Sequence, residues 1–242
     1  MNRDYWDAQA DRWDEEIFDS LAEDRKGVIA RAIRRAARAH DAVLDFGCGV
    51  GGYLPFLARR FARVHAVDWS ARCVAAARRR TASLPNVAVE RSTPRALERL
   101  AGGFGCVVAA NVVIHPAQRV RARLWRALRG AVRRGGTAIV VVPSLESAAL
   151  CEFIRRRTAP RRRSAYDFHP RMRRPEAGVV AIEGVPTKHY VHDELWAVLT
   201  LAGFRPFRLS RVHYSWTTEN LTPPRRLHGG LPWDWLAEAH AV

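Results

Sequence analysis

Residues 43–52, VLDFGCGVGG, constrain this chain more than any other stretch. A short apolar run closes on a carboxylate, Asp45, and opens at once into a glycine-rich turn. Such a run reads as a buried strand feeding a tight strand-to-helix turn, the first unit of a parallel α/β sheet. Gly47, Gly49 and Gly51 give G-x-G-x-G, and counting Gly52 gives G-x-G-x-x-G. Glycine spacing alone therefore admits a dinucleotide site. The carboxylate discriminates. In a dinucleotide site the pyrophosphate lies against this turn and the helix N-terminus, where Asp45 would repel it.

A ligand carrying positive charge and no phosphate would instead be held there. S-adenosylmethionine, with an ammonium and a sulfonium, is such a ligand. Asp68 closes a second apolar run 21 residues after Gly47, where an acid accepts from ribose hydroxyls in either ligand class. Capping of the following helices is the competing role for both acids.

The pattern from residue 28 to 142 alternates helices with short apolar strands, as a parallel sheet covered on both faces requires. Strands are expected at 42–46, 63–68, 87–91, 105–111 and 137–143. Ser70 is placed to cap the helix after the second strand. Val120, Leu124, Leu128 and Val132 recur every four residues in a helix expected from about 117 to 134, with Gly135 and Gly136 ending it. A helix follows at 145–157. Residues 155–175 then hold nine arginines and three prolines in 21 residues, favouring an exposed loop or lid. A helix at 192–203 and a strand beginning at 204 come next. Residues 233–241 read as a last strand, with a short amphipathic helix as the competing reading.

Net charge is +16, but 38 of the 40 basic residues are arginine. Such a bias reflects a GC-rich genome as readily as a phosphate-binding surface, so nucleic acid is not the expected partner. The four cysteines show no C-x-x-C pairing, which argues against zinc or a disulfide framework. No metal is expected. With no apolar run long enough for a membrane span and no secretory segment, a cytoplasmic protein is expected.

The segments VLDFGCGVGGYLPFLA, VHAVDWS, FGCVVAANVVIHP and LWRALRGAVRRGGTAIVVVPS, in this order over residues 40–144, resemble the class I S-adenosylmethionine-dependent methyltransferases. The resemblance implies a Rossmann-like α/β fold. Its seven-stranded sheet has the order 3-2-1-4-5-7-6, the last strand antiparallel and helices on both faces. It implies one domain over 1–242, with an N-terminal lid segment at 1–27 and an insertion at 145–192 capping the substrate site. It further implies that Asp45 and the turn Gly47, Cys48, Gly49 and Gly51 hold the methionine portion of S-adenosylmethionine. Asp68 would take the ribose and Trp69 would lie by the adenine. Asn111 and Val112 would line the cofactor, and Tyr5 and Trp13 would fold over it. The family often carries an acid after the third strand for the adenine amino group. Here Ser92 or Thr93 stands in that place, leaving a hydroxyl, a backbone group or packing to serve.

Methyl transfer is an in-line displacement, so the protein mainly aligns the nucleophile and excludes water, with a base where the acceptor carries a proton. His115, His169 and His192 are the candidate bases. Their competing roles are helix capping for His115, a surface position for His169, and the start of a helix with Tyr190 buried for the KHYVH stretch. The arginine run either steers an anionic substrate or is a solvated face. The expected activity is transfer to a small-molecule acceptor, at oxygen or nitrogen before carbon, in secondary metabolism, with S-adenosylhomocysteine as product. A non-catalytic cofactor-binding protein and an RNA methyltransferase are the alternatives.

Overall fold

The computed structural model describes residues 6–8, 10, 18–158, 178–182, 184–225 and 229–242. Tyr5, Trp13 and His169 lie outside them, as does most of the arginine run. Its elements are α1 (Val28–Ala37), β1 (Ala42–Phe46), α2 (Leu54–Ala58), β2 (Arg63–Asp68), α3 (Ala71–Arg80), β3 (Val87–Arg91), α4 (Pro94–Arg99), β4 (Phe104–Ala110), α5 (Gln118–Ala131), β5 (Val132–Pro143), α6 (Leu145–Thr158), β6 (Val179–Ile182), β7 (Val185–Lys188), α7 (His192–Leu201), β8 (Phe204–His213) and β9 (Trp233–Ala241).

Among the described residues one seven-stranded sheet runs β3-β2-β1-β4-β5-β9-β8, beside a two-stranded hairpin β6-β7. With the hairpin set aside, this is the expected order 3-2-1-4-5-7-6. Strands β1 to β5 are parallel, and β9 is antiparallel to both β5 and β8. The central strands read as near-continuous apolar runs because both faces are covered. Leu44, Phe46, Val107, Val140 and Trp235 face α5 and α7, whereas Val43, Val108, Ile139 and Leu236 face α1 and α2. In α1 the buried residues Ile29, Ala32, Ile33 and Ala36 recur at three- and four-residue spacing, so the helix docks one stripe on the sheet.

Several boundaries differ from the sequence expectation. Helix α5 stops at Ala131 and β5 begins at Val132, which pairs with Phe104 before the register shifts. Gly135 (φ 74°) lies within the strand rather than ending the helix. Here pairing to β4 outweighs the helical periodicity that included Val132. Strand β4 covers 104–110 rather than 105–111. Residues 233–241 form a strand and not a helix, since β5 and β8 flank them on both edges. The insertion contains a hairpin that its proline- and lysine-bearing sequence did not announce.

Inside this frame Glu238 of β9 is buried, held by Arg35 of α1 at 2.7 Å and Arg208 of β8 at 3.5 Å. Removing one partner of a buried charge leaves it uncompensated. Arg35 is itself part-exposed, which moderates the loss. Arg35→Ala is expected to cost about 2 kcal/mol in denaturant unfolding, against roughly 0.5 kcal/mol or less for the exposed Arg38→Ala. Equal midpoints for the two variants would remove Glu238 from the stability argument.

Candidate cofactor and acceptor site

The glycine turn sits at the carboxyl end of β1, where open α/β sheets bind ligands. Gly47, Gly49 and Gly51 all adopt positive φ (81°, 52° and 87°). A Cβ at Gly47 would lie 2.5 Å from Val112 Cγ2, so the turn presses directly on the loop leaving β4. Four of the turn's amides, those of Gly47, Cys48, Gly49 and Gly51, are spent internally. Gly47 and Cys48 both donate to the Val67 carbonyl, at 2.8 and 3.0 Å, and Gly51 donates to the Cys48 carbonyl at 2.9 Å. Gly49 donates to Asp68 Oδ2 at 3.0 Å. A phosphate cradle needs such amides aimed outward.

The carboxylates point the same way. Asp45 is buried, and its Oδ2 has no hydrogen-bond partner. Burial first, then the charges of Asp68 and Asp19, push its carboxyl up to about 7. Asp19 packs beside Gly52, with its other oxygen accepting the Leu21 and Ala22 amides. Asp68 accepts the Ser70 amide at 2.8 Å as well as that of Gly49, and burial raises its carboxyl against those hydrogen bonds. In a chain of net charge +16, these acids gather around one turn and leave a buried oxygen unpaired. A buried polar atom of this kind calls for a ligand group, here a cation.

Asn111 takes the left-handed conformation at the end of β4 (φ 56°), and its buried Oδ1 also lacks a partner. Its amide donates to the Val141 carbonyl at 2.9 Å. Strained backbone with an orphaned acceptor is typical of a ligand contact. Trp69 keeps an exposed ring beside Asp68. Thr93 accepts the Ala96 amide at 3.1 Å and so caps α4. Its hydroxyl oxygen is engaged in the capping role, and the adenine contact expected of it stays a proposal. Near the N-terminus, Ser70 and Asp7 share a hydrogen bond at 2.5 Å, and Ala10 packs on Val50 and Cys73.

Residues 43–136 match the family model of the methyltransferase domain. Over that stretch the chain is similar to the methyltransferase domain. A curated relative, an uncharacterised 37.1 kDa protein in transposon TN4556 of Streptomyces fradiae, is 33% identical over 117 residues. That match covers 47% of this chain and 33% of the relative, so the chain spans about a third of the length of the protein it resembles. Among solved structures, a methyltransferase in complex with the Trm112 activator of Haloferax volcanii has TM-score 0.63 at 15% identity, covering 100% of this chain and 97% of that one. The 1,6-didemethyltoxoflavin-N1-methyltransferase of Burkholderia thailandensis, holding its substrate and S-adenosylhomocysteine, has TM-score 0.59 at 14% identity, covering 99% and 87%. At such identities these two establish the shared fold.

The residues of this site fit S-adenosylmethionine by their chemistry: Asp45 and Asp19 could receive its ammonium, Gly47 to Gly51 would allow close backbone approach, and Asp68 could accept from the ribose. Of the histidines, His115 accepts the Ala117 amide on Nδ1 at 3.0 Å, which is helix capping. His192 starts α7, its Nδ1 2.6 Å from Asp193 and its ring edge-on to Trp235. Both lie near the carboxyl edge of the sheet. Tyr190 is buried, and its hydroxyl donates to the Val113 carbonyl at 2.6 Å. The neighbouring Lys188 is also buried, paired with Glu194 at 2.6 Å. Together they fix the loop leaving β4. Sequence reasoning missed Asp19, Tyr53, Tyr214 and Asp234, which converge from four separate segments. The one available signal was Asp234 between the two tryptophans that begin the final strand.

Proposed function

We propose that this chain transfers a methyl group from S-adenosylmethionine to a small-molecule acceptor, at oxygen or nitrogen, in secondary metabolism. The observation that carries the reading is the buried, unpaired Asp45 oxygen beside a turn whose Gly47, Cys48, Gly49 and Gly51 amides are consumed internally. That arrangement receives an ammonium and rejects a pyrophosphate. When bound, S-adenosylmethionine supplies a methyl activated by its sulfonium. The chain's part is alignment and exclusion of water. The N-terminal segment 1–27 and the insertion 145–192 serve as covers in this reading; for the N-terminal segment the Asp7–Ser70 and Ala10–Val50 contacts support it. A small acceptor is supported by likeness to the toxoflavin enzyme. Free, buried cysteines suit a reducing, cytoplasmic setting.

Titration calorimetry with S-adenosylhomocysteine and, separately, NADH tests the reading directly. Micromolar binding of the first and none of the second is expected. Binding of NADH alone would return the turn to the phosphate class. Methyl-labelled S-adenosylmethionine with panels of phenols and amines then reports the acceptor.

A further inference from the structure

Asp234 opens β9 opposite Pro143 of β5 and Val212 of β8. It therefore stands at the carboxyl end of the parallel strands, the edge that binds ligands. Its side chain falls on the same sheet face as that of Asp45. Val43 and Leu236, two residues away on their respective strands, share one core, while Leu44, Phe46 and Trp235 fill the other. The carboxylate accepts the Tyr214 hydroxyl at 3.0 Å and the amide of Ser144, the first residue past β5. Phe18 packs edge-on against Tyr214, with centroids 4.6 Å apart. Tyr53 and Ser20 share a hydroxyl hydrogen bond of 2.8 Å. Tyr53 lies within electrostatic reach of both Asp45 and Asp234. Asp45, Tyr53, Tyr214 and Asp234 thus form a continuous band from the methionine end of the cofactor site to β9.

Asp234 keeps accessible surface. Yet desolvation, opposed by the Tyr214 hydroxyl and reinforced by the Glu219 charge, brings its carboxyl to about 7. The residue stands at the ligand-binding edge of the sheet, and this value suits proton transfer near neutrality. No other element of the site uses it.

We propose that Asp234, oriented by Tyr214, receives the acceptor's proton, so that the acceptor presents an O–H or N–H group to this band. The proposal rests on the S-adenosylmethionine reading above. The acceptor oxygen or nitrogen forms its bond to the methyl carbon as the carbon–sulfur bond breaks. Sulfur keeps the electron pair of that bond, and the acceptor's proton passes to the Asp234 carboxylate. Tyr214 is a positioning residue.

Sinefungin carries an amine where the cofactor carries its transferable methyl, and S-adenosylhomocysteine carries nothing there. Their ratio of dissociation constants reads the charge facing the methyl. Wild type is expected to prefer sinefungin by about fivefold or more above pH about 7, where Asp234 is ionised, and to lose that preference below it. Asp45 titrates in the same range, but it faces the methionine portion that both ligands share and so cancels in the ratio. Of the other groups facing Asp234, Tyr214 and Tyr53 are pushed above their usual range by burial and stay neutral. Glu219 is raised by burial, so Glu219→Gln should leave the pH dependence in place. Asp234→Asn should abolish the preference while retaining S-adenosylhomocysteine affinity, and Tyr214→Phe should reduce it. Should Asp234→Asn not fold, the wild-type pH profile and Tyr214→Phe decide. A ratio near one in wild type, or a preference unmoved by pH and by Asp234→Asn, overturns the proposal. Absence of S-adenosylhomocysteine binding to wild type would instead overturn the cofactor reading on which it rests.

Discussion

Replacing Asp45 by alanine is expected to weaken S-adenosylhomocysteine binding about a hundredfold, because a desolvated charge-assisted pair is worth roughly 3 kcal/mol. The pH dependence gives the same residue a second signature. Burial, with Asp68 and Asp19 nearby, raises its carboxyl to about 7 from an ordinary 3.8. An incoming ammonium needs the ionised form, so below that value binding must expel a proton. Affinity should therefore climb by up to about tenfold per pH unit toward 7 and then flatten. Asp45→Asn should bind weakly, with this dependence removed. In the ligand-free protein the sign reverses. The folded state holds the proton that the unfolded chain releases near 3.8, so Asp45 costs stability increasingly as pH rises from about 4 to about 7. Ligand-free Asp45→Asn should consequently melt higher than wild type at neutral pH while binding worse. A variant that both melts lower and binds as wild type does would make Asp45 an ordinary structural acid.

The fold was legible where local chemistry and tertiary pairing agree. The apolar runs at β1, β2 and β4, buried on both faces, could be little else, and the turn between Phe46 and Tyr53 needs glycines because its backbone enters positive φ at Gly47, Gly49 and Gly51. Where they disagree, pairing decides. Val132 continues the helical spacing of α5, yet it pairs with Phe104 and begins β5. The cofactor half of the candidate site was legible because its residues cluster at two βα turns, where spacing carries meaning. The proposed acceptor half was not. Tyr53, Tyr214 and Asp234 meet only through the sheet, from positions 33 to 214 residues removed from Ser20, and neither Tyr214 nor Asp234 stands in a local motif. The histidines drew notice by residue type alone. His115 turns one ring nitrogen to the Ala117 amide, a local competition that composition cannot reveal.

Gly47→Ala tests the joint between the turn and the loop after β4. Two penalties combine there. The positive φ of 81° disfavours a Cβ by about 1–2 kcal/mol. The added carbon would also meet Val112 Cγ2 at 2.5 Å, an overlap that a packed loop can relieve only by shifting. A total near 3 kcal/mol is expected, lowering the melting temperature of a domain this size by roughly 6–12 °C. The two causes separate in a double-mutant cycle. Val112→Ala removes the methyl that is struck but leaves the backbone penalty untouched. The cost of adding the Gly47 methyl should therefore fall by about 1 kcal/mol or more in the Val112→Ala background without reaching zero. Strict additivity would mean that the backbone conformation alone demands glycine and that the close approach to Val112 is incidental. Coupling, accompanied by recovery of S-adenosylhomocysteine affinity in the double variant, would show that contact between the turn and the loop after Asn111 sets the width of the cofactor site.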